Sequence, residues 1–132
     1  MTDRDEHLRQ AWRLAGRPLV RSHIQQSLPP RQTTYRGSQM LLHPADNFTE
    51  FRIWLDGKSP ETDELNWLEA RLGGQDITAY DIGANAGVYT LHLARILGPA
   101  ASVLAFEPNP VMFARLEANI ALNDLARVTP HN

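Results

Sequence analysis

The chain has 132 residues, 13 Lys+Arg against 15 Asp+Glu, a formal net charge of -2 and 42% hydrophobic residues. That length suggests one domain at most, and the apolar fraction argues against wholesale disorder. The absence of cysteine excludes disulfides and thiolate metal sites, scattered arginines make no basic stripe for nucleic acid, and no apolar run approaches the roughly 18 residues of a membrane helix.

Residues Met1–Gln10 carry charges of both signs and no apolar core, so they do not read as a secretory signal, and a cytoplasmic protein is expected. Lys58 is the only lysine, a sign of genome composition before function. Across Asp3–Leu28, Leu8, Trp12, Leu14, Leu19 and Ile24 recur at loose helical intervals, which predicts one or two short amphipathic helices ended by Pro29-Pro30. Residues 1–36 therefore read as a polar extension, helical or poorly ordered. Ser38–His43 is a short candidate strand stopped by Pro44.

Asn47–Leu55 and Pro60–Leu72 read as two helices separated by the Asp56-Gly57-Lys58 turn, so residues 37–75 form a short strand and helical lead-in. Ser59 can cap the second helix, Pro60 suits its first position, and Glu61 and Asp63 place negative charge in its first turn. Leu65, Leu68 and Leu72 share one face, and Gly73-Gly74 ends the segment. Trp54 and Trp67 fall at helical positions that suit a core.

From Ile77 the pattern changes. Ile77–Ile82 reads as a buried strand, Gly83–Gly87 as a tight loop, and Val88–Leu97 as a helix ended by Gly98-Pro99. Ser102–Phe106 is a second strand, Asn109 caps a helix opened by Pro110, and Met112, Phe113, Leu116 and Ile120 form its apolar stripe. Arg127–Thr129 begins a third strand. Alternating strand and helix over 76–132 is a βαβαβ unit, hence an α/β fold with parallel strands and right-handed crossovers.

The stretch that carries chemistry is Tyr80-Asp81-Ile82-Gly83-Ala84-Asn85-Ala86-Gly87-Val88. A strand that enters a helix through glycines points the backbone N–H groups of the helix start outward. Gly83 permits the sharp turn, and Gly87 permits close approach of a ligand or of helix backbone. Asp81 would repel a pyrophosphate but suits the cationic amino-acid end of S-adenosylmethionine (SAM). Asn85 stands where a dinucleotide fingerprint needs its second glycine, which weighs against NAD. Glu107 closes the second strand 20 residues after Gly87, where a carboxylate can accept from both ribose hydroxyls of an adenosine. It supports an adenosyl ligand without choosing between SAM and NAD. The bland readings are tight βα packing for the glycines, a helix-terminal charge for Asp81 and an exposed strand-end acid for Glu107. His7, His23, His43, His92 and His131 show no ligand spacing, so no metal site is expected.

Asp81-Ile82-Gly83-Ala84-Asn85-Ala86-Gly87 followed by Phe106-Glu107-Pro108-Asn109-Pro110 resembles the FkbM family of SAM-dependent methyltransferases. The likeness continues through Arg115–Asn123, covers about residues 77–132 well, and covers 38–72 loosely. It implies a Rossmann-like class I methyltransferase fold, incomplete here, with three parallel strands, their flanking helices and a helical lead-in. It implies O-methylation of a hydroxyl on a sugar, polyketide or other secondary metabolite. Carried over residue by residue, Asp81, Gly83, Ala84, Asn85 and Gly87 make the first cofactor motif, Glu107 the ribose-binding acid, and Pro108 and Asn109 the flank of the adenine.

The resemblance also implies more strands than this sequence supplies. The first strand would be left with an open apolar edge, and the acceptor pocket and catalytic base would lie outside these residues. The chain therefore reads as a fragment, expected to bind SAM weakly and to turn over nothing alone. Three functional readings follow: a methyltransferase or its N-terminal part acting on a small-molecule or glycan acceptor; a non-catalytic or split SAM-binding module completed by a second chain; and, fitting Asp81 and Asn85 poorly, an NAD-linked oxidoreductase. The lack of a basic patch leans against a nucleic-acid acceptor.

Overall fold

In the computed structural model, which describes residues 2–132, the chain runs α1 (Asp3–Leu14), α2 (Pro18–Gln26), β1 (Arg31–Tyr35), β2 (Ser38–Leu42), α3 (Phe48–Asp56), α4 (Thr62–Leu72), β3 (Thr78–Ile82), α5 (Val88–Ile96), β4 (Ser102–Phe106), α6 (Pro110–Ala121) and β5 (Val128–His131). Length alone suggested one domain at most, but the chain separates into two units. One holds the residues up to Thr33 with Leu41–Pro60, and the other holds Thr34–Met40 with Glu61–Asn132. These bounds also differ from a division at 36 and 75. The reason lies in α4, whose Leu68 and Leu72 pack against the cluster of Leu93, Ala94, Leu97, Ala101, Val103 and Val128, which ties the helix to the sheet that follows.

The first unit is ordered from the start of α1. Thr2 and Asp5 form a reciprocal capping box, and Arg31 Nε reaches the buried Asp5 carboxylate at 2.9 Å. Burial pushes the Asp5 carboxyl up, but hydrogen bonds from Arg31 and Thr2 outweigh it and hold the group below its ordinary 3.8. The core is aromatic. Trp12 meets Phe51 edge-on at 5.2 Å, Phe51 leans on Trp54 at 5.8 Å, and the Arg9 guanidinium lies 5.1 Å from the Trp54 ring. Asn47, expected inside α3, is its cap and accepts from Glu50 N–H at 3.0 Å.

Strand β1 falls where the sequence suggested no strand. It pairs with β2 through a two-residue turn in which Arg36 (φ 47°) and Gly37 (φ 81°) are both left-handed. That is the backbone of a tight hairpin, whose usual Asn-Gly or Asp-Gly signal is absent because arginine takes the first position.

In the second unit β3, β4 and β5 lie side by side in that order, all parallel, with Ile82 level with Phe106 and Phe106 level with His131. Val103 and Ala105 point inward with no exposure. They meet Leu93 and Ala94 of α5, Leu97 just after it and Leu116 of α6, which places both crossover helices on one face. On the other face Tyr80, Phe106 and His131 stack across the strands at 6.4 and 4.7 Å. Tyr80 is 64% and Ile82 75% exposed, so β3 alternates instead of being buried throughout, and it forms one edge of the sheet.

Helix α4 starts later than its Ser59-Pro60 signal. Pro60 and Glu61 form a turn, Glu61 is the cap residue, and the first helical bond runs from Leu65 N–H to the Glu61 carbonyl at 3.0 Å. Trp67 lies on the face opposite Leu65, Leu68 and Leu72. It is 60% exposed instead of core, with the Arg71 guanidinium 5.8 Å from its ring. Helix α5 ends one residue earlier than expected, at Ile96, and β5 starts at Val128 and runs on through Pro130 to His131, where the missing proline N–H is tolerated at a sheet edge. No helix among the described residues is long and apolar enough to cross a membrane.

Candidate functional site

The carboxyl ends of β3 and β4 meet the start of α5 at one crevice. Between β3 and α5 the backbone turns left-handed three times, at Gly83 (φ 81°), Asn85 (φ 52°) and Gly87 (φ 97°). Asparagine is among the few residues with a side chain that tolerate this conformation. The loop closes over the end of β4, because Gly83 and Ala84 N–H both donate to the Phe106 carbonyl, at 2.8 and 2.9 Å.

The two glycines differ in what they leave open. A Cβ on Gly87 would lie 2.9 Å from Leu116 Cδ1, so the room beside it is taken by α6. A Cβ on Gly83 would meet nothing within 4 Å. The approach that the sequence assigned to Gly87 is therefore helix packing, and the side of the loop open to a ligand is at Gly83. Gly83 and Asn85 are exposed, whereas Ala84 is buried with Ala105 and Leu116, so its methyl belongs to the core and only its backbone borders the crevice.

Glu107 joins the two loops. Its Oε2 accepts from Asn85 N–H at 2.8 Å and its Oε1 from Asn109 N–H at 2.7 Å, with the residue 7% exposed. Each carboxylate oxygen has two lone pairs, so each keeps one with which to accept from a ligand. Asn109 caps α6 through Val111 and Met112 N–H, at 2.9 and 3.2 Å, and Pro108 stands exposed beside it.

Asp81 borders the same crevice. Its Oδ2 accepts from Thr90 Oγ1 at 2.5 Å. Gly87 offers α5 no side-chain cap, and the Asp81 carboxylate stands against the first turn of that helix, which agrees with its reading as a helix-terminal charge. Burial pushes the Asp81 carboxyl above its ordinary 3.8; hydrogen bonding to Thr90 opposes that shift, and the charge of Glu107 adds to it.

Two residues that hold this arrangement were missed. Thr90 is wholly buried, as is Asn119, whose Nδ2 donates to the Ala86 carbonyl at 2.8 Å. Asn123 Nδ2 in turn donates to the Asn119 carbonyl at 2.7 Å, and Asn123 exchanges two bonds with the Gln39 backbone, each 2.8 Å. The available signal was a polar residue on an apolar stripe: Asn119 follows Met112 and Leu116 at helical spacing, and a buried polar side chain is the informative exception. Among the described residues no group of three or more His, Cys, Asp or Glu is placed to hold a metal ion.

No family model matches the chain, so the FkbM likeness stands as a resemblance. Methyltransferase sdnD of Sordaria araneosa is 50% identical over 44 residues, 33% of this chain and 17% of that protein. Methyltransferase 1 of Beauveria bassiana is 37% identical over 51 residues, 39% of this chain and 20% of that protein. The alignments with these curated relatives thus span no more than 20% of their length. Among solved structures, TYW2 of Methanocaldococcus jannaschii, crystallised with AdoMet, matches with a TM-score of 0.59 and 25% identity over 76% of this chain and 42% of its own. TYW2 of Pyrococcus horikoshii, crystallised with MeSAdo, gives 0.59 and 23% over 78% and 35%. The tRNA m1G37 methyltransferase of M. jannaschii gives 0.57 and 18% over 80% and 30%. The architecture is thus the Rossmann-like α/β fold of class I methyltransferases, represented here by three parallel strands and their helices.

Proposed function

We propose that this chain forms the adenosyl side of a SAM-dependent methyltransferase site. The observation that carries the reading is Glu107, whose two carboxylate oxygens accept from the Asn85 and Asn109 N–H groups and so tie the two strand-end loops together, with further acceptor capacity on each oxygen. The crevice fits the cofactor. Gly83 is open on its outer side, α5 begins without a side-chain cap at Gly87, and carboxylates stand at the ends of both strands. The names of the curated relatives and the AdoMet and MeSAdo bound by the TYW2 structures support the same assignment.

When bound, SAM supplies an electrophilic methyl group on a sulfonium. The chain's own residues bind and orient. Glu107 accepts from the ribose hydroxyls, in charge-assisted bonds worth about 1.5–3 kcal/mol each. The Asp81 carboxylate attracts the cationic amino-acid end, and Pro108 and Asn109 flank the adenine. Gly83 and Asn85 give the ligand backbone to lie against, with Ala84 and Gly87 fixing the loop behind them. Held this way, the methyl donor needs only alignment with an acceptor oxygen and a base to take its proton, and no residue of this chain is assigned as that base.

The acceptor we favour is a hydroxyl on a sugar or secondary metabolite, on the strength of the FkbM-like motifs. A tRNA methyltransferase has the same fold, so the fold gives the exclusion of a nucleic-acid acceptor no support, and only the lack of a basic patch in the sequence weighs for it. The open edge of β3 is where a second chain or further strands would complete the sheet, and a cytoplasmic setting agrees with this chemistry.

An amide-resolved NMR titration of the chain with millimolar SAM tests the assignment. Shifts confined to Gly83, Asn85, Glu107 and Asn109, weakened about tenfold or more by Glu107→Ala, are expected. Equal shifts with NADH, or none with SAM in a folded chain, would overturn it.

A further inference from the structure

A second cleft of about 550 Å³, lined by Arg36, Glu69, Gly73, His92, Arg95 and Ile96, lies toward the far end of α5. At 1.5 Å per residue Arg95 is about 12 Å along the helix from Gly87, so the cleft is separate from the adenosyl crevice.

Its first cation is placed at a conformational cost. Arg36 occupies the left-handed position of the hairpin turn, a conformation that residues with a full side chain rarely adopt. From there its Nε donates to His92 Nδ1 at 3.2 Å and its Nη2 to Glu69 Oε2 at 2.8 Å. His92 is 3% exposed, and its Nε2 faces the Leu65 carbonyl at 2.8 Å. With Nε2 donating to that carbonyl and Nδ1 accepting from Arg36, the ring is neutral. Burial pushes its pKa below the ordinary 6.5, and the nearby Arg36 charge adds to the shift. His92 thus fixes the guanidinium without contributing charge.

The second cation is Arg95. Its guanidinium lies against the Cα of Gly37, where any Cβ would overlap it. Among the described residues the Arg95 side chain has no recorded hydrogen bond or ion pair. The cleft therefore presents two guanidiniums to one carboxylate, that of Glu69, whose side chain is 56% exposed and able to swing away.

We propose that this cleft binds a small phosphate-bearing ligand between Arg36 and Arg95. Planar guanidiniums match phosphate oxygens in paired hydrogen bonds, the volume lies within the range of small-molecule sites, and an anion there offsets the excess positive charge. Glu69 is its internal competitor.

The test follows the arginine Nε–H and Gly37 amide resonances of the full chain as inorganic phosphate or pyrophosphate is added at constant ionic strength. Saturable shifts at Arg36, Arg95 and Gly37, with Gly83 and Asn85 unmoved, are expected. Arg95→Gln, an exposed change that leaves the fold intact, weakens binding about tenfold, and Glu69→Gln strengthens it several-fold. Non-saturating shifts at all surface arginines alike, or unchanged affinity in Arg95→Gln, would overturn the proposal. So would binding of a short RNA without binding of pyrophosphate.

Discussion

Asn119 on α6 donates its side-chain amide to the carbonyl of Ala86 at 2.8 Å, across 33 residues of chain and with no exposure to solvent. The bond pins the middle of the loop between β3 and α5 to the body of α6, about three turns from the Asn109 cap that borders the crevice. Replacing Asn119 with leucine leaves a buried carbonyl without this donor, a loss of about 1–3 kcal/mol. We expect Asn119→Leu to lower the melting temperature by about 3–10 °C and to speed hydrogen exchange at Asn85 and Ala86, with SAM affinity falling alongside. Unchanged exchange at those two amides would show that the loop does not depend on this bond.

The two glycines of the loop give a paired prediction. Gly83→Ala meets only the left-handed backbone, since its Cβ position is open, and should cost roughly 1–2 kcal/mol of stability. Gly87→Ala meets the same kind of backbone and also Leu116 Cδ1 at 2.9 Å, so overpacking adds about 1–3 kcal/mol. Urea denaturation of the two variants should rank Gly87→Ala as the more destabilised. Cofactor titration should show Gly83→Ala impairing binding beyond its effect on stability.

What could be read from sequence depended on whether the deciding interaction was local. Ser102–Phe106 and the Asn109-Pro110 start of α6 are found where local propensity and capping placed them, because Asn109 satisfies the helix start from within three residues. Local rules misplaced the start of α4, where Ser59-Pro60 carries a strong cap signal but the helix begins at Thr62. They also missed β1, whose polar Gln32-Thr33-Thr34 run becomes a strand through pairing with β2. At the crevice the residue types were legible but their partners were not. Asp81 was singled out, yet its bond to Thr90 depends on α5 folding back over β3. Asn119 was hidden altogether, because its worth lies in a carbonyl 33 residues away.

Asp81 makes cofactor binding dependent on pH. Its carboxyl is raised above 3.8 by burial, so its contribution to stability is full below that value and is lost as pH rises through the folded-state pKa. A bound cation at this carboxylate favours the ionised form and lowers that pKa. SAM affinity should therefore weaken as pH falls through the folded-state pKa, and Asp81→Asn should flatten this dependence while lowering affinity about tenfold at pH 7. Calorimetric titrations of both proteins from pH 7 down to the lowest pH at which the fold persists check it. A wild-type affinity that falls no more steeply with pH than that of Asp81→Asn would remove Asp81 from the ammonium end of the ligand.

His92 sets a second pH response, in stability this time. Its folded-state pKa lies below 6.5 because burial, chiefly, and the Arg36 charge disfavour the protonated ring. Between that lowered value and 6.5 the unfolded chain binds the proton and the folded chain does not. The stability His92 contributes is therefore complete above about pH 6.5 and declines as pH falls below it, by at most about 1.4 kcal/mol per pH unit for one proton. Protonation would also place a hydrogen on Nδ1, against the Arg36 Nε–H that now donates to it, so the hairpin turn should loosen in the same window. Thermal melts from pH 8 to pH 5 should show a steeper loss for the wild type than for His92→Gln. The Gln side chain can still donate toward the Leu65 carbonyl but does not titrate. Parallel slopes for the two proteins would mean that His92 takes up its proton as readily in the folded chain as in the unfolded one.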